Sequence, residues 1–540
     1  MSLSNAPLAI HGSLRRRICI AVNWHATIPL AGAIRFGLNV TLFALGMLAC
    51  TALPVVADDR PNIVLLMGDD HGWDETGYNG HPHLKTPVLD QMAATGLRLD
   101  RFYAAHPTCS PTRGSVLTGR HPNRYGTFTP NYSIRPEEIT IADVLSDAGY
   151  VCGHFGKWHV GPVKADSPTS PGAMGFDTWL SHDNFFELDP VLSRDGGPPK
   201  KIEGESSQIL IDAAKPFLAS AKKSGKPSLT VIWFGSPHEP YSGLPEDLAL
   251  YDNLPAEYAK KSFRLTSNET GSPTTRSLRD VLRERYAEIT AMDRAIGDLR
   301  DWLTQNGLRD NTLIWYCGDN GTPGDGIITS PLRGQKGNHY EGGVRVPGII
   351  EWPARIKTHA STDYNSVTSD ILPTICDIAN VDVPDRPLDG ISLMPILEGR
   401  LGTRSQPIAF WSFDTKNVHK DQPYLTLQQQ TGTTPLIKLM KGIPTRNFVN
   451  YFHPDTTNAD YGGTRVWLAN HYKLIVTGLG DDQALELYNL RDDPSEAENL
   501  AEPRRKIADE MLGELTQWQT SVLNSLTGSD YDSSSVEIRD

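Results

Sequence analysis

Cysteine is scarce here, six residues in 540. None falls into the closely spaced Cys/His pairs that hold zinc, so zinc is excluded as the organising chemistry. Positive charge is also in deficit: 51 Lys and Arg stand against 64 Asp and Glu, a net charge of −13. That balance removes nucleic acid as an expected partner. An acidic body does not attract an anionic substrate either, so any anion site has to be a local cluster of Lys and Arg. Internal repeats are missing, and with them solenoid and propeller arrays.

Acidic residues are themselves missing at the N-terminus. Residues 1–57 contain Arg15, Arg16, Arg17 and Arg35 but no Asp, Glu or Lys. The apolar stretch 40–57 ends in Val55-Val56-Ala57, just before Asp58. A basic region, an apolar stretch and a small-residue end describe an export signal cut near Ala57, with an uncut membrane anchor as the lesser alternative. The stretch is long for a signal, which puts a second candidate start near residue 36. Cutting at Ala57 removes the four arginines and takes the net charge to −17. The mature protein is expected in the periplasm or secreted, with no stable membrane partner. Cys19 and Cys50 leave with the signal; Cys109, Cys152, Cys317 and Cys376 stay. With Cys109 reserved for chemistry, the remaining odd, widely spaced trio is no disulfide framework. Cys152 and Cys317 lie in apolar runs and read as inert buried thiols.

From residue 58 one pattern recurs: a short apolar run, a polar motif, then a helical stretch. The run 62–67 leads into Asp69-Asp70, 149–155 into Gly156-Lys157-Trp158-His159, 229–234 into Ser236-Pro237-His238-Glu239-Pro240, and 312–317 into Gly318-Asp319-Asn320-Gly321. Thr86-Pro87 opens a helix that closes at Gly96. Leu278, Leu282, Ile289, Met292, Ile296, Leu299 and Leu303 mark one face of a long helix. Apolar strands alternating with helices predict a large, mostly parallel α/β sheet covered by helices on both faces. Ligands in such sheets bind beyond the carboxyl ends of the strands, so the motifs should converge on one edge. Near residue 400 the texture changes to a polar stretch, 412–465, then antiparallel strand signals and a helix over 502–526. The expected organisation is an export segment 1–57, a catalytic domain 58–404, a smaller C-terminal α+β subdomain 405–526, and an unstructured tail 527–540.

Asp69, Asp70, Asp319 and Asn320, at two strand ends, suit a hard divalent cation, Ca²⁺ or Mg²⁺. Each alone reads equally well as a turn residue; two separated pairs favour the metal. Cys109-Ser110-Pro111-Thr112-Arg113-Gly114 carries a helix opening, with Ser110 as cap and Pro111 in the first turn. The helix amides would face an anion beside residue 109. Lys157, His159, His238 and Lys336 add cations and proton carriers, although singly each is commonplace on a surface.

These motifs, in this order from about Pro61 to Asn499, resemble the formylglycine-dependent sulfatases of the alkaline-phosphatase-like superfamily. The resemblance extends to the Lys336 loop, to Glu341-Gly342-Gly343-Val344-Arg345-Val346-Pro347 and to Leu487-Tyr488-Asn489-Leu490-Arg491-Asp492-Asp493-Pro494-Ser495-Glu496. It implies the large parallel sheet, sulfate-ester hydrolysis, and oxidation of Cys109 to formylglycine by a formylglycine-generating enzyme. It further implies that Asp69, Asp70, Asp319, Asn320 and residue 109 bind the cation, usually Ca²⁺. The aldehyde hydrate would attack sulfur, with Arg113 and Lys157 holding residue 109 and the sulfate. Lys336 and His238 would contact the ester, His238 protonating the leaving oxygen, and His159 would take a proton as sulfate departs. The alternatives are a phosphodiesterase or phosphonate monoester hydrolase on the same fold, or an inactive glycan-binding relative. Export and the polar stretch 412–465 point to a sulfated carbohydrate substrate, with aryl sulfates as model substrates. Residues 183–186 and 448–453 could line a sugar site or be plain loop packing.

Overall fold

The computed structural model describes residues 59–531, apart from 131, 267–271, 329, 401, 419 and 436–446. The export segment, with its cut at Ala57, lies outside the described residues. The described residues form one compact unit.

Its centre is a ten-stranded sheet. In chain order the strands are β1 (Asn62–Gly68), β2 (Leu97–Leu99), β3 (Val151–Lys157), β4 (Thr178–His182), β5 (Val191–Arg194), β6 (Lys200–Lys201), β7 (Ser228–Trp233), β8 (Thr312–Gly318), β9 (Gly348–Glu351) and β10 (Ala360–Thr362). Across the sheet they lie in the order β10-β2-β9-β8-β1-β7-β3-β4-β5-β6. The five central strands, β8 to β4, are parallel. The two sides are finished by antiparallel pairings of β9 with β8 and of β5 with β4. The fold is the mostly parallel α/β sheet read from the sequence.

Alternation along the strands splits the core into two layers. Ile63, Leu65 and Met67 of β1 face a cluster with Leu117 of α2 (Cys109–Thr118), Leu145 of α3 (Ile141–Asp147) and Leu372 of α6 (Ile371–Ala379). Val64 and Leu66 face the other, with Met92 of α1 (Pro87–Thr95), Leu210 of α4 (Ser206–Ser224) and the apolar stripe of α5 (Leu278–Gln305). Each fully buried Leu or Ile contributes about 1.5–3 kcal/mol, so this double burial fixes strand order and holds the strand ends in register.

The C-terminal strands β11 (Ile408–Ser412), β12 (Thr464–Ala469), β13 (Tyr472–Thr477) and β14 (Ala484–Asn489) form a separate antiparallel sheet. One face packs under α7 (Arg505–Leu526) through Leu474, Leu487, Met511 and Leu515. The other meets Tyr103 and Val344 through Phe410, Val466 and Ile475.

Two expectations are corrected. Of the tail expected from Thr527, residues 527–531 are folded against the body: Asp530 pairs with Arg120, Tyr531 donates to Glu138, and Tyr531 lies 3.5 Å from the Arg135 guanidinium, while 532–540 lie outside the described residues. Buried Arg120 needs these partners, which is why the chain stays folded that far. The helix at Cys109 is capped two residues earlier than read. Its N-cap is Thr108, because the Thr112 amide already donates to the Thr108 carbonyl. Ser110 instead donates to the Pro130 carbonyl.

Candidate active site

Register builds the site. β1 and β8 pair Gly68 with Gly318, which sets Asp69 and Asp70 beside Asp319 and Asn320. Asp70 takes a left-handed backbone, φ 61°, and its amide donates to Asp319 Oδ1 at 2.9 Å. β3 ends on Lys157, and β7 ends five residues before His238. All four strand-end motifs meet at Cys109, the first residue of α2.

Cys109 Sγ lies 3.5 Å from Asp69 Oδ1 and 3.8 Å from Asp70 Oδ1. Lys157 Nζ donates to Asp69 Oδ2 at 2.5 Å, with both side chains fully buried. Arg113 donates through Nε and Nη2 to Asp319 Oδ2 (3.1 and 2.7 Å) and through Nη1 to the Lys157 carbonyl (3.0 Å). Lys336 Nζ donates to Asp70 Oδ2 at 2.7 Å and sits 3.4 Å from His238 Nε2. His238 Nδ1 donates to the Glu239 carbonyl at 2.6 Å, which turns Nε2 toward the cluster, 3.7 Å from Asp70 Oδ2. Asn320 Nδ2 donates to Asp70 Oδ1 at 2.9 Å, while its Oδ1 is buried and, among the described residues, has no hydrogen-bond partner. His159 also has a left-handed backbone, φ 58°, and packs against Phe448 with ring centroids 6.2 Å apart.

Three carboxylates and three cations therefore share one largely buried space, open to solvent at Lys336. Burial opposes the charge on Asp70, but Lys336, His238 and Lys157 overcome it and hold the carboxyl well below its usual range. Burial and the neighbouring Asp69 push Asp319 up to about 6, despite Arg113. The Cys109 thiol is driven up by burial and by Asp319, so an unmodified thiolate is disfavoured as nucleophile. Burial pushes His238 down to about 3 and leaves its imidazole neutral.

Asp69, Asp70, Cys109 and His238 offer ligand atoms within 4.8 Å of one another. Both oxygens of Asp319 hold protein donors, as do both oxygens of Asp70. Of the aromatic stretches, Phe185 stacks on His238 at 4.1 Å and 13°, and Phe448 reaches His159. Tyr451, Phe452 and His453 pack instead on Tyr132, Tyr424 and Phe128. Arg285 and Glu75, both fully buried, were not singled out from the sequence. The available signal was a cation inside the apolar stripe of α5, between Leu282 and Ile289.

Opposed charges gathered at a helix start, on the carboxyl edge of a parallel sheet, suit an enzyme of α/β class that acts on an anionic ester. Comparison with known proteins narrows that class. The chain belongs to the sulfatase family, whose model, described as Sulfatase, matches residues 61–381; it is a sulfuric ester hydrolase. It is 33% identical to arylsulfatase A of Homo sapiens over 367 residues, 64% of this chain and 69% of that protein. It is 29% identical to N-acetylgalactosamine-6-sulfatase of Mus musculus over 421 residues, 70% and 73% of the two chains. A solved structure described as in complex with its substrate D-glucosamine-2-N,6-O-disulfate shares the fold at TM-score 0.64 and 22% identity. The match covers 88% of this chain and 99% of that one. Among the described residues no helix is long and apolar enough to cross a membrane.

Proposed function

We propose that this sulfatase is exported, carries formylglycine at residue 109, and removes sulfate from a carbohydrate with the help of a bound Ca²⁺. The observation that carries the reading is the cluster at Cys109, with three carboxylates and three cations around one buried sulfur. Its donors suit a hard cation: carboxylate oxygens of Asp69, Asp70 and Asp319, and the Asn320 Oδ1 that lacks a partner among the described residues. Mg²⁺ is the alternative ion. The cation would supply positive charge where the ester oxygens gather charge, and the aldehyde hydrate at 109 would supply the nucleophile and a route for releasing sulfate.

The chain's own residues do the rest. Arg113 and Lys157 orient residue 109 and hold the sulfate oxygens. Lys336 is the ammonium at the mouth of the cluster. His238 faces the leaving oxygen, and the Lys336 ammonium, 3.4 Å from its Nε2 and kept protonated by Asp70 despite burial, meets the charge that develops there. His159 takes a proton from residue 109 as sulfate departs. A sugar substrate is supported by the name of the galactosamine sulfatase relative and by Phe185 and Phe448, which flank the two histidines. Export is supported by the residue pattern of 1–57.

Mass spectrometry of the active protein should find the peptide containing residue 109 about 18 Da lighter than its cysteine form, as thiol-to-aldehyde conversion requires. A fully active protein with an unmodified Cys109 would refute the mechanism. Cys109→Ala should release no sulfate above background while melting like the parent protein. Turnover across a panel of sulfated mono- and oligosaccharides identifies the sugar; activity confined to aryl sulfates would sink the carbohydrate assignment.

A further inference from the structure

We infer that Arg285, paired with Glu75, is a positioning residue that ties together the loops carrying the reactive groups. Arg285 comes from the middle of α5, where Leu282 and Ile289 flank it on the buried face. Neither its side chain nor that of Glu75 is exposed.

All five of its N–H donors are used. Nε and Nη2 grip the Glu75 carboxylate at 2.6 and 2.5 Å. Nη2 also donates to the Asp70 carbonyl at 2.7 Å. Nη1 donates to the Pro237 carbonyl at 2.6 Å and to Tyr241 Oη at 3.1 Å. One guanidinium thus holds the backbone of Asp70 and the residue before His238. Glu75 carries the tie further: Thr322 Oγ1 donates to Asp74 Oδ1 at 2.7 Å and approaches Glu75 Oε2 at 3.3 Å. Thr322 lies two residues past Asn320, and its carbonyl accepts from the Lys336 amide at 3.0 Å. Asp70, Asn320, His238 and Lys336, which arrive on four separate loops, are joined through this one pair.

The space is closed around it. A Cβ on Gly326 would lie 2.7 Å from Arg285 Nε, and one on Gly72 would lie 2.2 Å from Thr322 Oγ1. A guanidinium is required because its planar fork presents five donors, to both Glu75 oxygens, two carbonyls and Tyr241, where an ammonium has only three. None of these atoms touches Cys109, so the effect on chemistry is geometric.

The test uses the full chain carrying modified residue 109. Arg285→Lys should lower kcat about 10²-fold, with KM changed by less than about threefold, because misplacement costs the transition state more than ground-state binding. Calorimetric titration with Ca²⁺ should show affinity about tenfold weaker, the usual cost of losing a group that supports a ligand. A folded Arg285→Lys enzyme with kcat within about twofold of the parent overturns the inference, as does a kcat loss that disappears on cooling along with the loss of melting temperature. If Arg285→Lys does not fold, Thr322→Val decides: it removes only the link to the Asn320 and Lys336 loops. It should fold normally and lose about threefold to tenfold in kcat; unchanged kcat overturns the inference. A parent enzyme that binds no Ca²⁺ refutes the cation reading, and the kcat ratio then judges Arg285 alone.

Discussion

One loop, residues 332–344, joins two buried clusters of opposed charge that behave differently. At its start Lys336 enters the cluster at Cys109. At its end Glu341 enters a second cluster with Lys473 and Glu496, at the seam with the C-terminal sheet. There Lys473 Nζ lies 3.0 Å from Glu341 Oε1 and 2.9 Å from Glu496 Oε1, while Glu496 Oε2 accepts from the Glu341 amide at 2.7 Å. Tyr103 Oη donates to the outer oxygen of Glu341 at 3.1 Å. Every charge in that triad is closed upon another, and all three side chains are sealed from solvent. The cluster at Cys109 instead opens to solvent through one cation, Lys336, that is 23% exposed. Identical physics serves architecture where the charges are saturated, and chemistry where they are left able to take a ligand.

Lys473→Met should separate the two clusters most sharply. It strands two buried carboxylates and should cost about 3–5 kcal/mol of stability in a denaturant melt. Burial works against the charge on Glu341, and Lys473 is the main group that sustains it, so the loss should be worst at high pH. Activity per folded molecule should stay within about threefold, because no reacting group is touched. A stable Lys473→Met protein with kcat reduced a hundredfold would erase the distinction. Lys336→Ala should do the reverse: about 10²–10³-fold lost in kcat, as for removal of one charge-stabilising donor, with little change in melting. Unaltered turnover in that variant would move Lys336 out of the chemistry.

Phe185→Ala sharpens the same boundary from the apolar side. Its ring stacks on His238 at 4.1 Å, and such pairs are worth about 0.5–1.5 kcal/mol. The expected loss is about twofold to tenfold in kcat/KM, larger for a sugar sulfate than for a small aryl sulfate. Equal losses on both substrates would make Phe185 a brace for His238 and not a wall of the sugar site.

Much of the reactive cluster was legible because each motif follows an apolar run, and parallel strands deliver their carboxyl ends to one edge. The apolar stripe of α5 and the hairpin of β12 and β13 were legible for the same reason, periodicity. What periodicity does not encode went unread. The Thr108 cap was hidden because Ser110-Pro111 is an equally good helix opening locally, and the choice falls to the carbonyl that Thr112 finds. Arg285 interrupts an apolar face, and only the carbonyls of Asp70 and Pro237, remote in sequence, explain why. Tyr531 follows a polar tail that gives no hint of Arg120 and Arg135, about 400 residues earlier, waiting to be covered. The stretch 412–465 reads as a featureless insertion, yet Thr433 and Thr434 donate to Asp183 beside the site.

A third kind of buried carboxylate, belonging to neither cluster, carries the smallest expected effect. Asp293 on α5 accepts from the amides of Val88 and Leu89 at 3.0 and 2.8 Å, at the start of α1. Among the described residues no ion pair holds it. Burial therefore prevails over the two amide donors and pushes its carboxyl up to about 7. Since that lies above the ordinary value of 3.8, the folded chain keeps a proton that the unfolded chain releases between about pH 4 and pH 7. Stability should then fall as pH rises through that window, by at most about 1.4 kcal/mol per unit for this one group. Glu75, also pushed up to about 7 by burial, slopes the same way, so the decisive quantity is a difference between proteins. Asp293→Asn, compared with the parent in urea melts at pH 5 and pH 7, should flatten the slope while lowering stability at pH 5. A parallel pair of slopes would show that the two amides alone keep Asp293 charged, and that a helix start can stand in for a cation.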